Sequence, residues 1–190
     1  GDEETFPRFT KLWLGKPNRE DQTIRLYGLL EGLSVAGAYQ FDVHYNGMTE
    51  IDVKARLFFR DGGAQQVGIA PMTSMFLFGE NSPERYGDWR PEVHDSDGVL
   101  IQDQKDAWTW HALENLPGRY HKQFEVEKLK GFGLMQRDRN FANYKDLEAT
   151  YEKRPSAWIT PKGQWPKGSV VLYAFETATE ATDNINVFWK

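Results

Sequence analysis

Apolar and polar residues alternate with a period of two along most of this chain, which is the signature of half-buried strands. The clearest case runs from Met48 to Phe59, where Ile51, Val53, Ala55, Leu57 and Phe59 alternate with Asp52, Lys54, Arg56 and Phe58. It follows Ala38 to Tyr45 across Asn46-Gly47, the preferred pair for a type I′ hairpin turn. An opening strand is expected around Phe6 to Leu14 and another over Thr23 to Leu30, with Ile24, Leu26 and Gly28 on one face. Val67 to Ala70 reads as a short strand. Pro71 to Ser74 then leads into the almost wholly apolar run Met75-Phe76-Leu77-Phe78, expected to be buried on both faces. Further strands are expected at Val99 to Ile101, Ala107 to Leu113, Gln123 to Glu127, Gly131 to Gln136, Ala157 to Ile159, Val170 to Phe175 and Ile185 to Trp189.

One segment carries helical spacing. Tyr144, Leu147 and Tyr151 share a face at i, i+3, i+7, with Asn143 as N-cap, Asp146 in the first turn, and Lys153, Arg154 and Pro155 closing it. About a dozen strands and one short helix predict an all-β fold, a large antiparallel β-sandwich. No repeat, low-complexity linker or boundary divides residues 1–190, so a single domain is expected.

Composition narrows the functional classes. A net charge of −5 without a basic stripe argues against nucleic acid. No segment approaches the length of a membrane span. The absence of cysteine excludes disulfides, thiolate metal sites and Cys nucleophiles. Seven Trp, eight Tyr and twelve Phe exceed ordinary usage. Most should be core, and the remainder suit flat, weakly polar ligands such as sugars.

The chemistry concentrates in Arg90-Pro91-Glu92-Val93-His94-Asp95-Ser96-Asp97-Gly98, a turn bracketed by Pro and Gly. Three readings stay open from these residues: an Asx-turn joining two strands, a metal loop, or a loop presenting a catalytic carboxylate. The other carboxylate clusters are Arg137-Asp138-Arg139, where Asp138 is expected in an ion pair with its arginine neighbours, and Glu180 with Asp183. His44, His111 and His121 are scattered on strands and read as structural. No phosphate loop, nucleophile elbow or zinc motif is present, and neither a cofactor nor a metal is expected. Two carboxylates from distant loops meeting in an aromatic cleft would satisfy the needs of glycoside hydrolysis, one protonated and one ionised.

Five strings are long and unusual: Ala70 to Asn81, Arg90 to Gly98, Gly131 to Arg139, Tyr144 to Ala149 and Arg154 to Trp158. In this order, over about Phe6 to Trp189, the chain closely resembles the periplasmic glucan biosynthesis proteins, the OpgG/OpgD (MdoG/MdoD) family. The resemblance implies a galactose-mutarotase-like β-sandwich, of which this chain matches the second half and so forms a partial domain. It also implies a periplasmic location and action on osmoregulated glucans with a β-1,2-linked backbone.

Similarity to inverting endo-β-1,2-glucanases implies that Asp183, in an Asp-Asn pair, is the general acid. It implies that Asp95 is the general base, reached through a water and substrate-hydroxyl relay, with Asp97 as the fallback. Asp97, His94, Arg137, Asp138, Arg139, Trp108, Trp110 and Trp158 are then the candidates for substrate binding. The chain departs from the family at Tyr173 to Thr177 and at Gly163 to Pro166. A half-sandwich should expose an apolar face and unpaired strand edges, so self-association or a missing N-terminal half-domain is expected to complete it. The alternatives to a hydrolase are a non-catalytic glucan-binding or scaffolding module and a mutarotase-like epimerase.

Overall fold

A computed structural model describes residues 6–18, 20, 22–60, 66–82, 87–163 and 165–190. The chain forms two compact units, Gly1–Gln66 and Val67–Lys190. Asp61-Gly62-Gly63, whose sequence reads as a turn, and residues 83–86 of the polar stretch Gly79 to Trp89 lie outside the described residues.

The first unit is one four-stranded antiparallel sheet in the order β1 (Arg8–Leu14), β2 (Thr23–Glu31), β3 (Val35–Tyr45), β4 (Thr49–Phe59). Register places Leu26 opposite Phe41 and Phe41 opposite Val53. One face therefore collects Leu12, Leu26, Tyr39, Phe41, Val53 and Leu57. Phe9 lies over Gly28, where a Cβ would come within 2.8 Å of its ring. Arg25 and Asp42 are paired across the opposite face. The alternation is as the sequence predicts, but the half-buried state of β4 is not reached. Ile51 is 52% exposed and Val53 54%.

The hairpin forms with a different turn. Tyr45 pairs with Thr49, so Asn46, Gly47 and Met48 make a three-residue loop. Of the Asn-Gly pair only Gly47 has a positive φ, at 78°, whereas a type I′ turn needs both.

The second unit is a sandwich. One sheet runs β10 (Arg119–Val126), β13 (Gly168–Phe175), β14 (Ile185–Trp189), β5 (Ile69–Ser74). The other runs β12 (Ala157–Ile159), β11 (Leu129–Met135), β8 (Gly98–Asp103), β9 (Trp108–Ala112). Both give their inward side chains to one core: Val99, Ile101, Phe132 and Leu134 from one sheet, Val170, Leu172, Ile185, Val187 and Trp189 from the other. Burying each such side chain contributes about 1.5–3 kcal/mol. Pro71 lies inside β5, not in a connection before it. It is tolerated because β5 is an edge strand and Ala70, at φ 51°, makes a bulge against β14. A two-stranded sheet, β6 (Phe76–Phe78) with β7 (Val93–His94), completes the unit. Met75 to Phe78 are all buried, as expected.

The expected helix from Asn143 to Arg154 is corrected. The helix is α1 (Phe141–Tyr144), capped by Asn140, whose Oδ1 accepts from Ala142 N at 3.1 Å. Lys145 at φ 53° ends it. Asp146 Oδ1 then accepts from Glu148 N (2.9 Å) and Ala149 N (2.8 Å), closing a turn of its own. A 3-10 turn at Tyr151–Lys153 follows. Tyr144 and Tyr151 are buried as the spacing requires, whereas Leu147 is 85% exposed.

Candidate functional site

The segment from Glu92 to Gly98 is held by backbone bonds to three other segments of the chain, not by a free Asx-turn. Val93–His94 is the strand β7. Asp95 N donates to Met75 O (2.8 Å), Asp97 N to Met135 O (2.8 Å), and Leu113 N to Asp97 O (2.8 Å). Ser96 adds a buried hydroxyl contact with Ser74 at 2.9 Å. Side chains leave this fixed ribbon on opposite sides. Glu92, His94 and Asp97 line one cavity of about 480 Å³, with Glu80, Asn81, Trp110, Arg137, Asp138 and Asn143 among the other walls. Asp95 lines a second, of about 200 Å³, with Thr73, Ser74 and Arg154.

In the larger cavity His94 is buried, stacked on Phe76 at 5.0 Å and met edge-on by Tyr144 at 5.2 Å. Its Nε2 lies 2.8 Å from Glu92 Oε2 and 3.9 Å from Asp97 Oδ1. Nδ1 is buried without a partner. The Nε2 proton is therefore assigned as the one donated to Glu92, leaving Nδ1 as a bare lone pair. Asp97 Oδ2 accepts from the backbone N–H of Arg137 and of Asp138, which fixes its carboxylate at the cavity edge.

Asp138 accepts from Asn140 N (2.8 Å) and Asn143 Nδ2 (2.5 Å), in place of the expected ion pair with its arginine neighbours. Arg137 instead lies over Trp110, 4.8 Å from the ring centroid. Arg139 donates to the carbonyls of Glu152 (3.2 Å) and Arg154 (2.5 Å).

Glu92, His94 and Asp97 are close enough to be tested as cation ligands, as are Glu80, Glu92 and Asp138. A metal on Nε2 would move the imidazole proton to Nδ1, where nothing accepts it. Metal-binding histidines ordinarily donate that second N–H. The first cluster fits a hydrogen-bonded dyad better than a metal centre.

On the other side, burial pushes the Asp95 carboxyl above its ordinary range, and the negative charge of Asp183 adds to this. Arg154 pulls it back. Arg154 Nε is 3.3 Å from Asp95 Oδ1, an ion pair without hydrogen-bond geometry, since that oxygen is buried with no hydrogen-bond partner. Asp183 is exposed. Its neighbour Asn184 is fully buried and acts as a bracket: Oδ1 accepts from Phe76 N (2.9 Å), and Nδ2 donates to Phe76 O and Phe175 O (both 3.1 Å). The Asp-Asn pair thus divides its labour, with the amide fastening the loop and the carboxylate left outward.

The three tryptophans separate. Trp110 lines the larger cavity. Trp108 and Trp158 pack on one another at 5.9 Å. Gly98 and Gly131 make room for these rings: a Cβ at Gly98 would meet Trp110 at 2.4 Å, and one at Gly131 would meet Trp158 at 2.4 Å. Trp108 is 56% exposed, and only Trp189 among the tryptophans is in the buried core. The expectation that most aromatics are core fails: among the described residues the buried ones are Phe76, Phe78, Phe132, Tyr144, Tyr151 and Trp189.

Sequence reasoning missed Glu80, Asn81 and Asn143 as cavity walls and Arg154 as the partner of Asp95. It read Asn143 and Arg154 as helix-end residues, and the Arg-Pro junction gave no sign that the guanidinium turns back toward Asp95.

The second unit is thus an all-β sandwich with an acidic, aromatic-walled loop site at one end of its sheets. The whole chain, residues 1–190, matches the family model described as "Periplasmic glucan biosynthesis protein, MdoG". It belongs to that family. It is 46% identical over 98% of its length to the glucans biosynthesis protein G of Pseudomonas syringae pv. tomato, covering 29% of that protein. It is 46% identical to the protein of the same name from Pseudomonas putida KT2440, covering 33% of it, and 44% identical to that from Pseudomonas aeruginosa PAO1, covering 35%. The chain spans about a third of the length of the curated relatives it matches. Among the described residues no helix is long and apolar enough to cross a membrane.

Proposed function

We propose that this chain carries a glucan-processing site of a periplasmic glucan biosynthesis protein, cleaving β-1,2-glucan with inversion. Asp183 protonates the leaving oxygen and Asp95 takes the proton from water through a substrate hydroxyl. Family membership supports the substrate class. The observation that carries the chemistry is Asp95: a carboxylate made more basic by burial, restrained by Arg154, and within the field of Asp183 on a separate loop. Two carboxylates on distinct loops, near enough for the charge of one to act on the other, supply the two groups that an acid–base pair needs. The larger cavity offers carboxylates and amides for hydroxyls and the Trp110 ring for a sugar C–H face, so it supports the binding half of the reading.

The test is reducing-end release from linear β-1,2-glucan by the wild-type protein and by Asp183→Asn, with circular dichroism on both. Release should vanish in the variant while the fold persists. Undiminished release would remove Asp183 from the role.

One observation favours a binding module instead. The larger cavity contains neither Asp95 nor Asp183, so its sugar-binding chemistry stands without a reaction. Saturable glucan binding by a folded wild-type protein that releases no reducing ends would select that reading.

A further inference from the structure

We propose that Tyr151 is a positioning residue that ties the loop bearing Asp183 to the cation facing Asp95. The proposal rests on the assignment of those two aspartates as the reacting pair. Tyr151 is 3% exposed and starts the 3-10 turn after Thr150, whose φ is 47°. Its hydroxyl donates to Glu180 Oε2 at 2.7 Å. The same oxygen accepts from Arg90 Nη1 at 2.8 Å, and Arg90 also donates to Asp146 and Asp88 at 2.8 Å each. Glu180 stands three residues before Asp183, whose next neighbour, Asn184, is bolted to Phe76 and Phe175. The loop between is thus fixed at one end by the Asn184 bracket and at the other by the phenol.

The ring of Tyr151 has a second task. The Arg154 guanidinium lies 5.6 Å from its centroid, and the Nε of that guanidinium faces Asp95. One buried side chain thereby holds Glu180 by its hydroxyl and supports Arg154 by its π-face. Its own place is set from behind, by Gln136 Nε2 donating to Tyr151 O at 2.9 Å and by the Tyr144 ring at 5.9 Å. Burial, together with the Glu180 carboxylate, raises the phenol well above its ordinary pKa, so it stays a donor over any working pH.

The purpose follows from the chemistry. An acid and a base on separate loops act together only at a set separation, and a misplacement near 1 Å costs on the order of 10²-fold in rate. Phenol, glutamate and arginine convert two loop positions into one.

Tyr151→Phe deletes the hydroxyl and keeps the ring, and Glu180→Gln alters the partner at a partly exposed site. In both, kcat on β-1,2-glucan should fall about 10- to 100-fold with KM changed little. Amide hydrogen exchange over residues 178–183 should quicken while exchange in β11 and β13 stays as in the wild type. Wild-type kcat together with wild-type exchange in Tyr151→Phe would overturn the proposal. Absence of turnover in the wild-type protein is a failure of the hydrolase reading, and exchange then decides the tie alone. Faster exchange at 178–183 sustains it, and unchanged exchange removes it.

Discussion

The two sides of the Glu92–Gly98 ribbon are built from the same residue types and behave differently. On one side Asp97 is held by two backbone N–H groups and His94 by Glu92, and the cavity they line is the larger of the two. On the other, Asp95 is half-buried with one oxygen short of a hydrogen bond, and Arg154 and Asp183 act on it with opposite sign. Residues two apart in one loop are thus given different surroundings by what the rest of the fold presents to them.

The most forceful way to break this contrast is to exchange the roles. Asp95→Asn should lower kcat about 10²- to 10⁴-fold, the usual contribution of a general base, whereas Asp97→Asn should act mainly on glucan affinity. A dead Asp97→Asn beside an active Asp95→Asn would move the base into the larger cavity.

The same pair of variants separates in stability. The folded-state pKa of Asp95 is raised, so the stability tied to its protonation is present below its ordinary value of 3.8 and lost as pH rises through the raised value. At pH 7 Asp95→Asn should therefore melt no lower than the wild type. A lower melting temperature would mean that the ion pair with Arg154 outweighs the burial.

Glu92→Leu takes away the acceptor of a fully buried imidazole N–H. It should destabilise the second unit by about 1–3 kcal/mol in a denaturant titration. An unchanged midpoint would show that His94 finds another partner or carries its proton on Nδ1.

Trp110→Ala should weaken glucan binding about 2- to 12-fold by isothermal titration, given one stacking ring worth roughly 0.5–1.5 kcal/mol. Trp158→Ala should change it less, because Trp158 packs on Trp108 outside the cavity walls. The reverse order would shift the glucan onto the outer face of that sheet.

The smallest expected effect is that of Arg154→Gln. The base must be ionised, burial already raises Asp95, and Arg154 opposes this. Its loss should move the acid limb of the kcat/KM profile to higher pH. A shift to lower pH would contradict the ion pair.

Much of the fold was legible in the chain. Alternation at residues 48–59, the apolar run Met75 to Phe78 and the spaced strands of the second unit all appear where period-two patterning puts them, because side-chain direction in a strand is local geometry. The helix was misplaced. Asn140 and Asn143 are both good caps three residues apart, and the left-handed Lys145 and the Asp146 turn stop the helix that the Tyr144–Leu147–Tyr151 spacing promises. The Asn-Gly hairpin formed with one residue more in its loop, since register is fixed by pairing along all of β3 and β4 and not by two residues.

For the candidate site, the local sequence marked the carboxylates of residues 92–97 and the resemblance to the family marked the Asp-Asn pair at 183–184, and of the tryptophans singled out at 108, 110 and 158 only Trp110 lines the larger cavity. Residue identities and short motifs need no folding to be read. Only the tertiary structure decided that Asp95 and Asp97 face different cavities, that Arg154 rather than Arg137 or Arg139 meets Asp95, and that Tyr151 reaches Glu180. Those relations join residues tens of positions apart, and burial, the largest influence on the basicity of Asp95, is a property of what surrounds a side chain and not of the chain that carries it.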